Sequence, residues 1–242
     1  MNVYGQTHIG LVRENNQDAL EYGTLTDTVQ YAVVCDGMGG AHGGNIASKI
    51  AVEVIGSRIR DGYRDNANVG SPENLLLSAM ATANIGVYDR AQRDAELTGM
   101  GTTVVAVITD GRTAYISHVG DSRLYLLRDN RLSQITRDHS VVQELVEAGQ
   151  ITVEEARSHP RKNYITRALG VIGEENGEDD ELQLITGDRL LLCTDGLTNT
   201  VDGDEISRLL TLPTEEATEA LIRAALDGGG MDNITVALMD ID

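Results

Sequence analysis

Four times in this chain an apolar, strand-like run meets an aspartate beside glycine, serine or asparagine. The four are Val-Val-Cys-Asp36-Gly37, His-Val-Gly-Asp121-Ser122, Leu-Cys-Thr-Asp195-Gly196 and Asp232-Asn233-Ile-Thr-Val. Aspartate is a poor strand residue, and an unpaired carboxylate beside buried strands is costly. One such aspartate is ordinary turn chemistry. Four at strand ends constrain the fold, because if those ends converge the like charges raise one another's pKa. A cation is the cheapest resolution. Oxygen donors without His or Cys select a hard ion, Mg²⁺ or Mn²⁺, over Zn²⁺. Glycine after Asp36 and Asp195 lets the backbone approach closely, so a peptide carbonyl can join the ligands.

The rest of the composition narrows the class. Of 242 residues 41% are apolar, with no Trp and no Phe, so the core is built from Ile, Leu, Val, Ala, Met and eight Tyr. Nineteen basic against 38 acidic side chains give a net charge of −19. That charge repels phosphate backbones and anionic membrane surfaces, which argues against a nucleic-acid partner. No apolar run approaches the ~20 residues that span a bilayer, and Met1–Gly5 lacks the basic and apolar regions of a signal peptide. Cys35 and Cys193 do not make a disulfide framework. The expectation is a soluble, cytoplasmic protein forming one domain over residues 1–242, since no repeat or Pro/Ser/Gly-rich linker divides it.

The elements are mixed. Strands are expected at 30–35, at 102–109 and 113–119 across Asp110-Gly111-Arg112, at 122–128 and 131–136 across Asp129-Asn130, and at 189–194 and 234–241. Helices are expected at 45–60, and at 73–93 behind Ser71 as N-cap and Pro72. Ser140…Gln143 and Thr152…Glu155 have capping-box spacing and open two shorter helices, the first closed by Gly149. Thr214 caps a last helix, 215–226. Two long helices followed by consecutive hairpins do not suit a βαβ repeat; they suit antiparallel sheets covered by helices, an α+β fold. Residues 174–181 hold six acids and read as a hydrated surface loop. His8, His118, His139 and His159 read as isolated structural or surface residues.

The glycine-rich stretch from Gly37 to Gly44 fails both nucleotide patterns. Gly-x-Gly-x-x-Gly breaks at His42, and the P-loop pattern has Asn45-Ile46 where Lys-Ser/Thr is required. Its amides remain available to an anion at the following helix. Arg13, in Arg13-Glu14-Asn15-Asn16-Gln17-Asp18, is a surface ion pair when alone. Beside a metal cluster it becomes a guanidinium fork for phosphate.

In Arg13…Asn16-Gln17-Asp18, Asp36-Gly37-Met38-Gly39-Gly40, Gly101-Thr102-Thr103, Gly120-Asp121-Ser122-Arg123, Asp138-His139-Ser140, Asp195-Gly196-Leu197 and Asp232-Asn233 the sequence resembles the PPM family of metal-dependent protein Ser/Thr phosphatases (protein phosphatase type 2C) in its short bacterial form. Each motif is weak alone; seven in order over residues 13–233 are specific. The resemblance implies a four-layer α/β/β/α sandwich with Mn²⁺ or Mg²⁺ at one end. It implies that Asp36 bridges two ions, that the Gly37 carbonyl joins the second, and that Asp195 and Asp232 complete the first. It implies a third, weaker ion on Asp121 with Asp195, a phosphate grip by Arg13, and an Asp18 that orients metal-bound water. Residues 145–170 match a mobile flap. The chain departs from many relatives in having Met38 where they carry a histidine proposed as general acid, and Gln17 where Glu is common.

The implied reaction is hydrolysis of phosphoserine and phosphothreonine by in-line attack of a water bridging two ions. The implied partners are phosphorylated substrates of a bacterial Ser/Thr kinase and the kinase itself. His42, the one histidine of the glycine-rich loop, is a candidate substrate-binding residue and general acid, with water on a metal as the alternative and preferred proton donor. A phosphatase of a small phosphorylated metabolite and a catalytically silent phosphoprotein-binding member are the alternatives. Neither cysteine is followed by the Cys-x₅-Arg loop of a cysteine phosphatase.

Overall fold

The computed structural model describes residues 2–64 and 71–242, apart from the side chains of Ala41 and His42. One sheet holds β1 (Asn2–His8), β7 (Arg123–Arg128), β8 (Arg131–Gln134), β10 (Arg189–Cys193) and β11 (Ile234–Asp240) in the order β1-β11-β10-β7-β8. The other holds β2 (Asp18–Thr26), β3 (Val29–Met38), β5 (Val104–Thr109), β6 (Thr113–Val119) and β9 (Glu178–Gln183) in the order β2-β3-β5-β6-β9, with the short β4 (Gly101–Thr102) on the end of β3. Every pairing within these sheets is antiparallel.

Period-two alternation builds three apolar layers from two sheets. On β3, Val33 and Cys35 face α1 (Gly40–Gly62) and α2 (Pro72–Gln92), while Ala32 and Val34 face the other sheet. On β10, Leu190 and Leu192 meet them in the middle layer. Leu191 and Cys193 point outward to α5 (Asp195–Thr198), α6 (Gly203–Leu209) and α7 (Thr214–Asp227). The result is the helix–sheet–sheet–helix sandwich expected.

Several local signals act as read. Ser71 accepts from Asn74 N–H ahead of Pro72, and Thr152 and Glu155 close a capping box on α4 (Val153–Arg157). Ser140 caps α3 (Val141–Glu147), and Gly149 follows it at φ 68°. Asp129 and Asn130 turn the β7–β8 hairpin with positive φ at both positions, the type I′ signature.

Other expectations are corrected. Thr214 is not a cap: Pro213 holds that position, and the Thr214 hydroxyl instead donates to Asp240 Oδ2, tying α7 to β11. The first helix starts at Gly40 rather than 45, because Gly39 at φ 127° turns the chain straight out of β3. Residues 178–181 are not loop but the start of β9, held by backbone pairing along β6. Its solvent side tolerates acids because β9 is an edge strand.

Candidate active site

The site forms where the ends of β3, β10 and β11 come together with the β1–β2 loop and the β6–β7 turn. Asp18 and Asp36 are direct partners in the β2–β3 register. Asp195 opens α5 at the end of β10, Asp232 precedes β11, and Asp121 lies between β6 and β7. All four strand-end aspartates are half-buried, with an open side, whereas Asp18 is buried. Asp195 Oδ2 accepts from Asn199 Nδ2 at 2.9 Å.

Asn233 fastens the loop that carries Arg13. Its Nδ2 donates to the carbonyls of Ile9 (2.9 Å) and Asn15 (3.0 Å), and its Oδ1 accepts from Gln17 N–H (2.8 Å). The Arg13 guanidinium consequently lies on the cluster, donating from Nη2 to Asp232 Oδ2 at 2.7 Å. That bond, with Asp36 and Asp195 nearby, raises the Arg13 pKa. Asp36 is held through its backbone: its N–H donates to Thr103 Oγ1, and its carbonyl accepts from Thr103 N–H and Thr102 Oγ1. Gly37 N–H donates to the Gln17 carbonyl at 3.1 Å, which closes the seam between β3 and the loop.

Asp18 Oδ2 accepts from Thr194 Oγ1 (2.9 Å) and Thr235 Oγ1 (2.7 Å). Because Thr235 spends its proton there, Thr7 donates to Thr235, and Asn16 Nδ2 donates to Thr7. This directed chain supports an acceptor-only carboxylate. Burial nevertheless pushes the Asp18 carboxyl up to about 7, the hydroxyls offsetting only part of it. Burial, with Asp195 second, pushes Asp121 up to about 8. Burial first, then Asp18, Asp195, Asp121 and Asp232, holds Asp36 well above the usual carboxylate range. Burial and Asp232 raise Asp195.

Asp18 Oδ1 and Asp195 Oδ1 are buried without any hydrogen-bond partner. Orphaned anionic oxygens amid mutually repelling carboxylates are what a hard cation satisfies, and the donors are all oxygen. The residues therefore fit Mn²⁺ or Mg²⁺. A second cluster, His118, His139 and Glu178, offers ligand atoms within 4.8 Å of one another. The two histidines are thus not isolated: their rings stack at 4.8 Å.

The structure brings Arg13, Asp18, Asp36, Gly37, Asp121, Asp195 and Asp232 to one end of the sandwich, as the sequence suggested. His42 falls in the first turn of α1, but its side chain lies outside the described residues. Thr194, Thr235 and Asn233 are the residues that sequence reasoning did not assign these jobs. The only available signal was the Thr-Asp and Asp-Asn-x-Thr spelling of the motifs themselves.

A sandwich of two antiparallel sheets with an acidic, oxygen-only cation site at one end is the architecture of a metal-dependent hydrolase. Residues 4–231 match the family Protein phosphatase 2C, and the chain belongs to it. It is similar to protein phosphatase PhpP of Streptococcus pneumoniae, 40% identical over 239 residues and covering 98% of this chain and 96% of that one. The Mycobacterium tuberculosis serine/threonine phosphatase PstP/Ppp superposes with a TM-score of 0.90 at 36% identity, covering 100% of this chain and 98% of that one. The catalytic domain of PstP in complex with two manganese ions matches with a TM-score of 0.88 at 35% identity, with the same coverage. This chain is accordingly a metal-dependent protein serine/threonine phosphatase using Mn²⁺ or Mg²⁺. Among the described residues no helix is long and apolar enough to cross a membrane.

Proposed function

We propose that the chain removes phosphate from phosphoserine and phosphothreonine of cytoplasmic proteins phosphorylated by a bacterial Ser/Thr kinase, the kinase itself included. The observation that carries the catalytic reading is the pair of orphaned oxygens, on Asp18 and Asp195, inside a group of carboxylates gripped on one side by Arg13. Asp36, the Gly37 carbonyl, Asp195 and Asp232 would hold two core ions, and Asp121 with Asp195 a weaker third. When bound, such ions lower the pKa of water toward neutrality and draw charge off the phosphoryl oxygens.

The remaining roles belong to the protein. Arg13, half-exposed beside Asp232, presents a planar fork to the substrate phosphate. Asp18 is held with Oδ2 committed to two hydroxyls, which leaves Oδ1 as the oxygen that faces the site and would orient the attacking water. Met38 has no acidic hydrogen, so the leaving oxygen takes its proton either from water or from His42, and flexible glycines around His42 favour water. Residues 145–170, which hold the end of α3 and all of α4, are proposed as the flap of one phosphatase domain spanning 1–242.

The test is turnover of a phosphothreonine peptide against small phosphomonoesters, with and without Mn²⁺. A Mn²⁺-dependent preference for the peptide supports the proposal. A preference for a small phosphorylated metabolite, or no turnover of either, would replace it with one of the two alternatives. For His42, the His42→Ala variant is expected to have equal, small effects on phosphoserine peptide and on an aryl phosphate, whose leaving group needs little protonation. A ~10²-fold slowing of the peptide alone would assign the acid role to His42 instead.

A further inference from the structure

His139 lies outside the metal cluster but touches its backbone. Gly120, the residue before Asp121, donates its N–H to His139 Nδ1 at 3.1 Å, and His139 N–H donates to the Gly120 carbonyl at 2.9 Å. Gly120 is itself a position that only glycine fits. Its φ is +102°, and a Cβ there would lie 2.6 Å from the Thr103 side chain, on the same threonine that anchors Asp36. The Asp121 turn is therefore held by the His139 ring at a position that only glycine fits against Thr103.

The bond fixes the tautomer. A backbone N–H can only donate, so Nδ1 must carry a lone pair and the proton sits on Nε2. Nε2–H then donates to Glu178 Oε2 at 3.0 Å. Arg167 Nη1 stands 3.7 Å from the same Glu178 oxygen, and its guanidinium is steadied by Glu175 Oε1 and the Asn176 carbonyl. The backbone of the segment before Arg167 joins in: Thr166 N–H donates to the His139 carbonyl. His118 stacks beneath the ring with an interplanar angle of 17°.

A transition-metal site on His118, His139 and Glu178 is the competing reading, and the geometry disfavours it. In-plane lone pairs of nearly parallel rings run side by side rather than converging on one ion. A cation is also already present: Arg167 Nη1 lies 3.1 Å from His139 Nε2, a contact rather than a hydrogen bond because both nitrogens carry hydrogen in this tautomer.

We propose that His139 is a positioning residue for the Asp121 metal ligand, its lone-pair nitrogen holding the Gly120–Asp121 turn and Glu178 holding the ring in the tautomer that does so. The inference rests on Asp121 as a ligand of the weakest ion.

The experiment counts Mn²⁺ bound by electron paramagnetic resonance titration, beside kcat and KM for a phosphothreonine peptide, on wild type, Asp121→Ala, His139→Ala and His139→Asn. Asparagine places an acceptor oxygen near the position of Nδ1 but has no counterpart of Nε2–H. His139→Ala should weaken the weakest ion at least ~10-fold and lower kcat with KM little changed, approaching Asp121→Ala. His139→Asn should recover most of the loss. Wild-type Mn²⁺ binding in His139→Ala, or an asparagine variant no better than alanine, overturns the proposal. If Asp121→Ala itself keeps every ion, the ligand reading has failed instead. Should His139→Ala not fold, Glu178→Ala and Glu178→Gln decide, Glu178 being 44% exposed. Alanine should weaken the weakest ion several-fold and glutamine, which keeps an acceptor, should not; equal binding in the two overturns the proposal. In metal-free wild type, ¹⁵N imidazole NMR should show His139 Nδ1 unprotonated; a protonated Nδ1 overturns it as well.

Discussion

Asp18 and Asp36 face each other directly across β2 and β3, two carboxyls in one register position next to the apolar pair Ala19 and Cys35. Like charges directly opposite in a sheet destabilise it. On the proposed reading cations at Asp36 offset that cost, so stability and function pull in opposite directions at this point.

The pH dependence of the metal-free protein should expose this. Asp18 is pushed up to about 7 and Asp121 to about 8, both above the ~3.9 of an aspartate in an unfolded chain. Each binds its proton more tightly folded than unfolded, so stability must fall as pH rises from about 4 through these values, then level off. Thermal melting in a chelator should therefore give a Tm that drops between pH 5 and 8. Mn²⁺ should raise Tm most at pH 8 and release protons at pH 6, measurable by titration calorimetry in two buffers. A chelated protein whose Tm rises over that range would contradict the assignment.

Replacing Asp36 by asparagine removes the charge at the centre of the cluster while nearly keeping its shape. Turnover should fall by ~10³-fold or more at any Mn²⁺ concentration, on the scale of losing a central electrostatic contact. The metal-free variant should nonetheless melt higher than wild type, by about 2–4 °C for each kcal/mol of repulsion relieved. Loss of activity together with a lower metal-free Tm would mark Asp36 as structural instead.

Arg13→Lys keeps the positive charge beside Asp232 but loses the planar fork. The KM for a phosphothreonine peptide should rise about 10-fold, the size of one charged hydrogen bond, with the Mn²⁺ requirement unchanged. An unchanged KM would return Arg13 to a surface ion pair with Asp232.

How much of this was legible in the sequence follows the sheet edges. The interior strands β3, β5, β10 and β11 announce themselves because both faces are buried and the run is nearly all apolar. Of the edge strands β1, β2, β8 and β9, only β8 is legible, through the Asp129-Asn130 turn that pairs it with β7. Glu178–Gln183 is acid-rich because one side of it meets water, and its strand character comes from pairing with β6, not from side-chain pattern. The aspartates were readable as strand-end anomalies. Their supports were not, since Thr194 and Thr235 reach Asp18 across 176 and 217 residues of chain and look like ordinary strand threonines. The His118–His139 stack was hidden for the same reason.

Gly37 carries the last prediction, because three backbone segments meet on it. A Cβ at this position would fall on the Gly44 carbonyl in the first turns of α1 and 2.7 Å from the Gln17 carbonyl of the β1–β2 loop. None of these is the free end of a flexible side chain, so the strand, the loop and the helix would have to separate. Gly37→Ala should cost about 2–3 kcal/mol of stability, within the overpacking range. It should also weaken Mn²⁺ binding at least ~10-fold, because Asp36 and the Gly37 carbonyl move with the strand. Gly203→Ala is the matched comparison: nothing lies within 4 Å of its would-be Cβ, at the first position of α6. There alanine should be neutral or stabilise by about 0.4–1 kcal/mol through the unfolded chain. Denaturant melts of both variants, with calorimetric Mn²⁺ titration, check the pair. Equal stability and equal metal affinity in the two would mean that the seam at Gly37 yields, and that close backbone approach is not what seats the metal-binding carboxylate.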